Sequence, residues 1–281
     1  MTEELDIRHA TQEDMKMFLD LIVKTGRNPG IYDDETYLTI DREGFFVGYI
    51  KDVPVAFISA VSHSKGSAFI GHYFVRPGYR DIGIGKKMFQ FALSYLEGYN
   101  VCVDAPKSMV SSLQKMGFIE AYRNHRYMAI SHVMDIELND FVPVKDVPYE
   151  QLEEYDSHCF PVKREKYLRR WMRQKGAKAF AKYVDGEILG FGLIRPCIEG
   201  YKIAPLFANS SNIAAELFYK LTETIPGESI YIDVPDINVN ASSLISKLNM
   251  ESVLETVHMY NLFDSSIESE KVFGVTSWEL G

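Results

Sequence analysis

The chain has 281 residues, of which 46% are hydrophobic and 13% aromatic, enough for one large core or two ordinary ones and against wholesale disorder. Its formal net charge is −9 with no long basic run, which disfavours nucleic-acid binding, and no stretch has the apolar length of a membrane span. The acidic, polar start Met1-Thr2-Glu3-Glu4-Leu5-Asp6 resembles neither a signal nor a transit peptide. Cys102, Cys159 and Cys197 are scattered without metal-ligand spacing, so reduced thiols and no metal are expected. Together these features predict a cytoplasmic protein with no nucleic-acid or membrane partner. Its oligomeric state is not legible in them.

Taken in order, Ile7 to Ala10 reads as a short strand. Thr11 then offers a helix N-cap, and Met15, Phe18, Leu19 and Ile22 recur at helical spacing up to Gly26. Arg27-Asn28-Pro29-Gly30 is a turn, and Asp33 to Ile40 begins a second helix. Phe45–Ile50 and Pro54–Val61 are strands joined at Lys51-Asp52, and the chain turns again near Lys65-Gly66. Ala68 to Val75 is a buried strand. Met88, Phe89, Ala92, Leu93 and Leu96 then mark one face of a helix.

Between that strand and helix lies Arg80-x-x-Gly83-x-Gly85. Glycines let a ligand approach the backbone, and the free N–H groups of a starting helix favour an anion, here a pyrophosphate. A phosphate-binding P-loop is excluded because Arg80 takes its first glycine position and Lys87 its hydroxyl position. A dinucleotide fingerprint is excluded because Met88 stands at its third glycine. What remains, Val75-x-Pro77-x-Tyr79-Arg80-x-x-Gly83-x-Gly85, resembles the acetyl-CoA-binding motif of the GNAT superfamily of acyltransferases.

Val101–Ala105 follows as a strand, Ser108–Met116 as a helix ended by Gly117, and Tyr122–Ile130 as the closing strand. This is the element order of a GNAT domain. Asn28-Pro29-Gly30-x-x-Asp33, Gly44-Phe45-Phe46-Val47 and Ile70-Gly71-x-Tyr73-x-Val75 further resemble a subgroup in which a second GNAT-like domain follows. The polar stretch 133–145, with Asp135, Glu137 and Asp140, is a reasonable boundary. The predicted fold is α/β in the α+β mixed-sheet sense. Residues 1–136 form the acyl-CoA-binding domain and residues 137–281 a GNAT-like domain, each a mixed sheet flanked by helices.

The second half repeats the element order, with helices near 149–159 and 164–174. Strands follow at Lys178–Val184, Ile188–Ile194 and Tyr201–Ala208, then a helix at Ile213–Thr224. A local echo accompanies it: Val103-Asp104-Ala105-Pro106 with Ser111-Ser112-Leu113 matches Ile232-Asp233-Val234-Pro235 with Ser242-Ser243-Leu244. Asn209-Ser210-Ser211-Asn212 replaces the glycine turn, so this half is expected to bind no acyl-CoA, and Ser210 or Ser211 reads as a helix N-cap.

The resemblance implies direct acetyl transfer from acetyl-CoA to a primary amine of a small-molecule or amino-acid-like acceptor. It implies donor contacts from the backbone of Phe74 and Val75 and from Arg80, Asp81, Ile82, Gly83, Ile84, Gly85 and Lys86. An amine of pKa ~10.4 is only about 0.04% neutral at pH 7, so a base is expected to help. His72 and Asp104 are the catalytic candidates, with His63 behind them. Where many relatives carry a tyrosine as general acid, this chain has Leu113; Tyr122 and Tyr127 are substitutes whose hydroxyls the sequence does not place. For the acceptor, the first helix pair offers Asn28, Tyr32 as an aromatic wall, and Asp33 to hold an ammonium group. A protein lysine acceptor, a non-catalytic acyl-CoA-binding regulator and a purely structural scaffold are the alternatives.

Overall fold

The computed structural model describes residues 4–64, 66–132, 136–262 and 267–281. The expected turn residue Lys65, the boundary residue Asp135 and the first three residues lie outside them.

The first half runs β1 (Asp6–His9), α1 (Gln12–Val23), α2 (Asp33–Ile40), β2 (Phe45–Ile50), β3 (Val53–Ser64) and β4 (Ser67–Val75). It continues through α3 (Ile84–Tyr95), β5 (Asn100–Ala105), α4 (Lys107–Gln114) and β6 (Ile119–Ile130). The second half repeats this as β7 (Phe141–Pro143), α5 (Tyr149–Cys159), α6 (Glu165–Trp171), β8 (Lys178–Val184), β9 (Glu187–Pro196) and β10 (Tyr201–Ala208). It ends with α7 (Ser211–Thr222), β11 (Ser229–Pro235), α8 (Val239–Lys247), β12 (Glu251–Tyr260) and β13 (Val272–Gly274).

Local chemistry accounts for many of these boundaries. Thr11 and Asp14 exchange side-chain-to-backbone hydrogen bonds (3.1 and 2.9 Å), a capping box that starts α1 with Met15, Phe18, Leu19 and Ile22 buried. Lys51 and Asp52 both sit at positive φ (48° and 60°), as a tight hairpin between β2 and β3 demands. Ser210 caps α7 by accepting from the Ile213 N–H.

Among the described residues thirteen strands form one sheet, with the path β1-β2-β3-β4-β5-β12-β6-β11-β10-β9-β8-β7 and β13 paired off it with β10. This corrects the expectation that Tyr122–Ile130 closes the first half. That strand, β6, lies beside β11 of the second half, while β12 lies beside β5. The two halves exchange their last strands. The echoed segments make β5 and β11 similar neighbours, so periodicity does not distinguish the two pairings. Each echoed aspartate is faced by a different cation on the exchanged strand. Asp104 is registered with His258 (Nδ1–Oδ1 3.4 Å), and Asp233 with Arg126 (2.6 and 2.7 Å, both side chains buried).

In each half the two parallel strands splay apart. β4 and β5 pair only over Ser67–Phe69, and β10 and β11 only over Tyr201–Ile203. In the second half β13 fills the gap. It pairs with β10 at Leu206 and Phe207, Gly274 fits against Ile232 of β11, and the Val275 N–H donates to the Asp233 carbonyl (2.8 Å). The chain then crosses to the first half, where residues 276–281 are fastened by Arg164. This guanidinium is paired with Asp156 (2.8 Å twice) and donates to Thr276 Oγ1 (2.8 Å) and the Gly281 carbonyl (2.9 Å).

Residues 137–281 expressed alone would lose β6, expose the edge of β11 and leave Asp233 buried without Arg126. We expect such a fragment to be insoluble or unfolded. A soluble 137–281 fragment with a cooperative urea transition would show that the exchange is dispensable.

Candidate active site

The glycine turn builds the start of a groove. Gly83 sits at φ 88° as the residue before α3 and no side chain caps that helix, so the first-turn N–H groups are left for a ligand. A Cβ on Gly83 would meet nothing within 4 Å. The groove measures about 660 Å³ and runs from Gly83 and Lys86 past Phe74 and Val75 to Pro106 and Met109. Arg80 shapes its turn by donating from Nε to the Val75 carbonyl (3.0 Å).

The expected donor residues divide here. Phe74, Val75, Arg80, Asp81, Gly83, Gly85 and Lys86 line the groove. The side chains of Ile82 and Ile84 do not: Ile82 points to solvent, and Ile84 is buried in the core beneath α3. Gly85 is also required for a reason that spacing did not reveal, since a Cβ there would run into the Tyr73 hydroxyl.

A smaller cavity of about 160 Å³ adjoins the groove in the splay of β4 and β5, and Thr25, Arg27, Tyr73, Pro106 and Met109 line both. His72 and Asp104 face it from β4 and β5, Thr256 from β12, and Trp278 and Glu279 from the chain's end. A bulge in β4 places His72 at φ 48°, and Gly71 lets the tail pass, because a Cβ there would strike the Glu279 carbonyl. His72 Nδ1 meets Ser59 Oγ at 3.0 Å, and the Tyr37 ring stands edge-on at 4.6 Å. Burial pushes the imidazole down to about 4, against the opposing pull of Glu279, so it is neutral near pH 7.

Asp104 already has partners. Asn124 Nδ2 donates to it (2.7 Å), and it holds His258 as an imidazolium despite burial, raising that ring to about 10. His63 faces a different cavity, of about 220 Å³, that shares no lining residue with the groove. The Leu113 side chain lies in the core, Tyr122 stacks on His258 (4.6 Å), and Tyr127 packs on the second-half core. The tyrosine beside the groove is Tyr73, whose hydroxyl burial pushes up and keeps protonated.

The acceptor loop is corrected. Asn28 is buried and bonded to Glu199 of the second half (2.7 and 2.9 Å), and Lys202 Nζ donates to the Asn28 carbonyl (3.0 Å). Asp33 is wholly buried against Arg195 (3.1 and 3.3 Å), with the Gly30 N–H and the Tyr37 hydroxyl also donating to it. Burial would raise its carboxyl, yet Arg195 holds it below the usual range. Tyr32 lies under Lys175 (4.6 Å) and lines neither the groove nor the cavity. This loop joins the halves, because Asn28, Tyr32 and Asp33 are each engaged by a partner more than 140 residues away in sequence, the buried Arg195 among them.

Spacing pointed to neither Trp278 nor Glu279, since only tertiary structure brings the C-terminus to β4. Among the described residues no group of three or more His, Cys, Asp and Glu side chains could hold a metal, and no helix is long and apolar enough to cross a membrane.

Comparison with known proteins agrees with this architecture. The acetyltransferase (GNAT) family profile matches residues 12–118, and an acetyltransferase (GNAT) domain profile matches residues 152–274. A holothin acyltransferase from a Pseudoalteromonas species is 27% identical over 256 residues, covering 90% of this chain and 86% of its own. A crystal structure of a putative acetyltransferase from Pyrococcus horikoshii superposes with a TM-score of 0.85 at 24% identity, covering 99% of this chain and 96% of that one. A tandem GNAT protein from the clavulanic acid biosynthesis pathway gives 0.64 at 13%, covering 92% and 98%.

Proposed function

Because the chain belongs to the GNAT superfamily, with one such domain in each half, we propose that it transfers an acetyl group from acetyl-CoA to a primary amine of a small molecule. The observation that carries this reading is the continuity of the groove at the start of α3 with the cavity in the β4–β5 splay. In it, the pyrophosphate takes the N–H groups after Gly83, and the pantetheine arm runs along β4 beside Phe74 and Val75. The thioester then reaches the cavity mouth at Tyr73 and Pro106.

Several features favour this use. A groove of about 660 Å³ suits a cofactor-sized ligand, and the inner cavity of about 160 Å³ suits a small acceptor better than a folded protein surface. Among the described residues β13 fills the corresponding splay of the second half, which favours a single donor site in the first. One curated relative, the Pseudoalteromonas acyltransferase, is named for a small molecule, holothin, which fits this acceptor class without fixing the acceptor.

In the proposed reaction the amine attacks the thioester carbonyl, a C–N bond forms as the C–S bond breaks, and one proton goes to the departing thiolate. Tyr73, protonated and beside the groove, is positioned to give that proton and to be recharged from the nitrogen through solvent. His72 is a neutral imidazole on the cavity wall. Its low pKa makes it a weak base, and the neighbouring Glu279 carboxylate favours its protonated form. Asp104, paired with His258, serves better to fix β12 against β5 than to take a proton.

The test is CoA release from acetyl-CoA across a panel of small primary amines, with calorimetry of acetyl-CoA binding alongside. We expect micromolar-range donor binding and amine-dependent release. Donor binding with no release for any amine would favour the non-catalytic regulator, and absence of donor binding would overturn the acyltransferase reading.

A further inference from the structure

The cavity that His63 faces plays no part in the reaction proposed above. It measures about 220 Å³ and lies where the halves exchange strands. Its floor is one face of the sheet. There Phe69 of β4 and Tyr260 of β12 flank Cys102 of β5, and His258 lies between Asp104 and Tyr122 of β6. Phe160 and Pro161 after α5, Phe207 of β10 and Ile237 before α8 cover it, so neither half closes it alone. Ile237 is 43% exposed, and the rim reaches the surface there.

The charged groups of this lining are committed to each other. Asp104 stands 3.4 Å from His258 Nδ1 and also accepts from Asn124 (2.7 Å). That carboxylate is 3% exposed, and the imidazolium it holds is 15% exposed. His63 is neutral near pH 7, because burial pushes it down to about 4, and burial keeps the Cys159 thiol protonated. Arg164, over the Phe160 ring at 4.0 Å, is bound to Asp156 (2.8 Å). Beyond the closed His258–Asp104 pair, what the cavity presents is chiefly rings: Phe69, Tyr122, Phe160, Phe207 and Tyr260.

We propose that this cavity is a second ligand site and takes a neutral aromatic molecule of one or two rings. A cavity of about 150 Å³ lined by apolar side chains holds benzene, so this one has room for a larger ring system. Aromatic rings pack edge-on or offset against one another, with a gain beyond the area they bury. A charged ligand would be desolvated with no free counter-charge. A carboxylate would meet Asp104 behind His258, and an ammonium would meet the imidazolium in front of Asp104. The site shares no lining residue with the donor groove, and it does not depend on the acyltransferase reading.

The test uses the full chain without CoA and four probes: indole, benzyl alcohol, benzoate and benzylammonium. Calorimetry should show indole binding, and benzyl alcohol should displace it at concentrations at least about tenfold lower than benzoate or benzylammonium. Reading the single-ring probes by displacement of indole confines the comparison to one site. Cys102→Leu, which adds bulk at the cavity floor, should weaken indole at least about tenfold and leave the acetyl-CoA Kd unchanged. No indole binding, or equal displacement by the three single-ring probes, overturns the proposal, and neither result needs a variant to fold. Unchanged indole affinity in a folded Cys102→Leu protein overturns it as well, because the ligand then sits elsewhere. Acetyl-CoA binding is measured separately, so a failure of the acyltransferase reading is distinct from a failure here.

Discussion

Asp33→Asn is expected to destabilise the protein by roughly 3–5 kcal/mol, because it leaves the Arg195 guanidinium buried without its counter-charge. In a chain of this size that corresponds to a fall in Tm of roughly 6–20 °C. The pair cannot be rescued by solvent: side-chain exposure is 1% for Asp33 and 3% for Arg195, and Arg195 Nη1 already lacks a hydrogen-bond partner among the described residues. The Gly30 N–H and the Tyr37 hydroxyl, both of which donate to Asp33 Oδ2, would also lose a charged acceptor. Thermal and urea unfolding of the variant measure the effect. A variant as stable as the parent, with acceptor kinetics altered, would restore this loop to a role in acceptor binding.

Gly83→Asp is expected to raise the acetyl-CoA Kd about 100-fold or more, since like-charge juxtaposition at an anion site costs several kcal/mol. The added carboxylate would occupy the N–H groups at the start of α3 that the pyrophosphate needs, and would repel it. The structure favours Gly83 over Gly85 for this experiment. Its Cβ position is open, so the cost to the fold is that of an L-residue at φ 88°, about 1–2 kcal/mol. A substitution at Gly85 would displace Tyr73 and confuse binding with packing. Gly83→Ala separates strain from charge, because it keeps the strain and omits the carboxylate. Calorimetry showing unchanged donor affinity in a folded Gly83→Asp protein would remove the pyrophosphate from this turn.

Much of the architecture is local and was legible for that reason. The Thr11 cap, the positive-φ pair Lys51-Asp52 and the apolar face of α3 depend on neighbours within a few residues, and spacing records them directly. The glycine turn before α3 is equally local, since a helix start and an open Cβ position suffice to define its donors. The duplication was visible because both halves keep the same order of elements, and the echoed aspartates marked equivalent strands.

What tertiary structure decided were the partners. Asp104 and Asp233 look alike in sequence, but only the register of the exchanged strands gives one a histidine and the other an arginine. Asn28 and Asp33 read as free polar groups until Glu199 and Arg195 arrive from the other half. Trp278 and Glu279 carry no motif, and they meet His72 because β13 enters the gap beside β10 and sends the tail across Gly71. A polar side chain is a ligand for solvent, for substrate or for another side chain according to what desolvates it. Burial is a property of the whole chain, so the sequence alone could name the chemistry of these residues but not which partner would claim it.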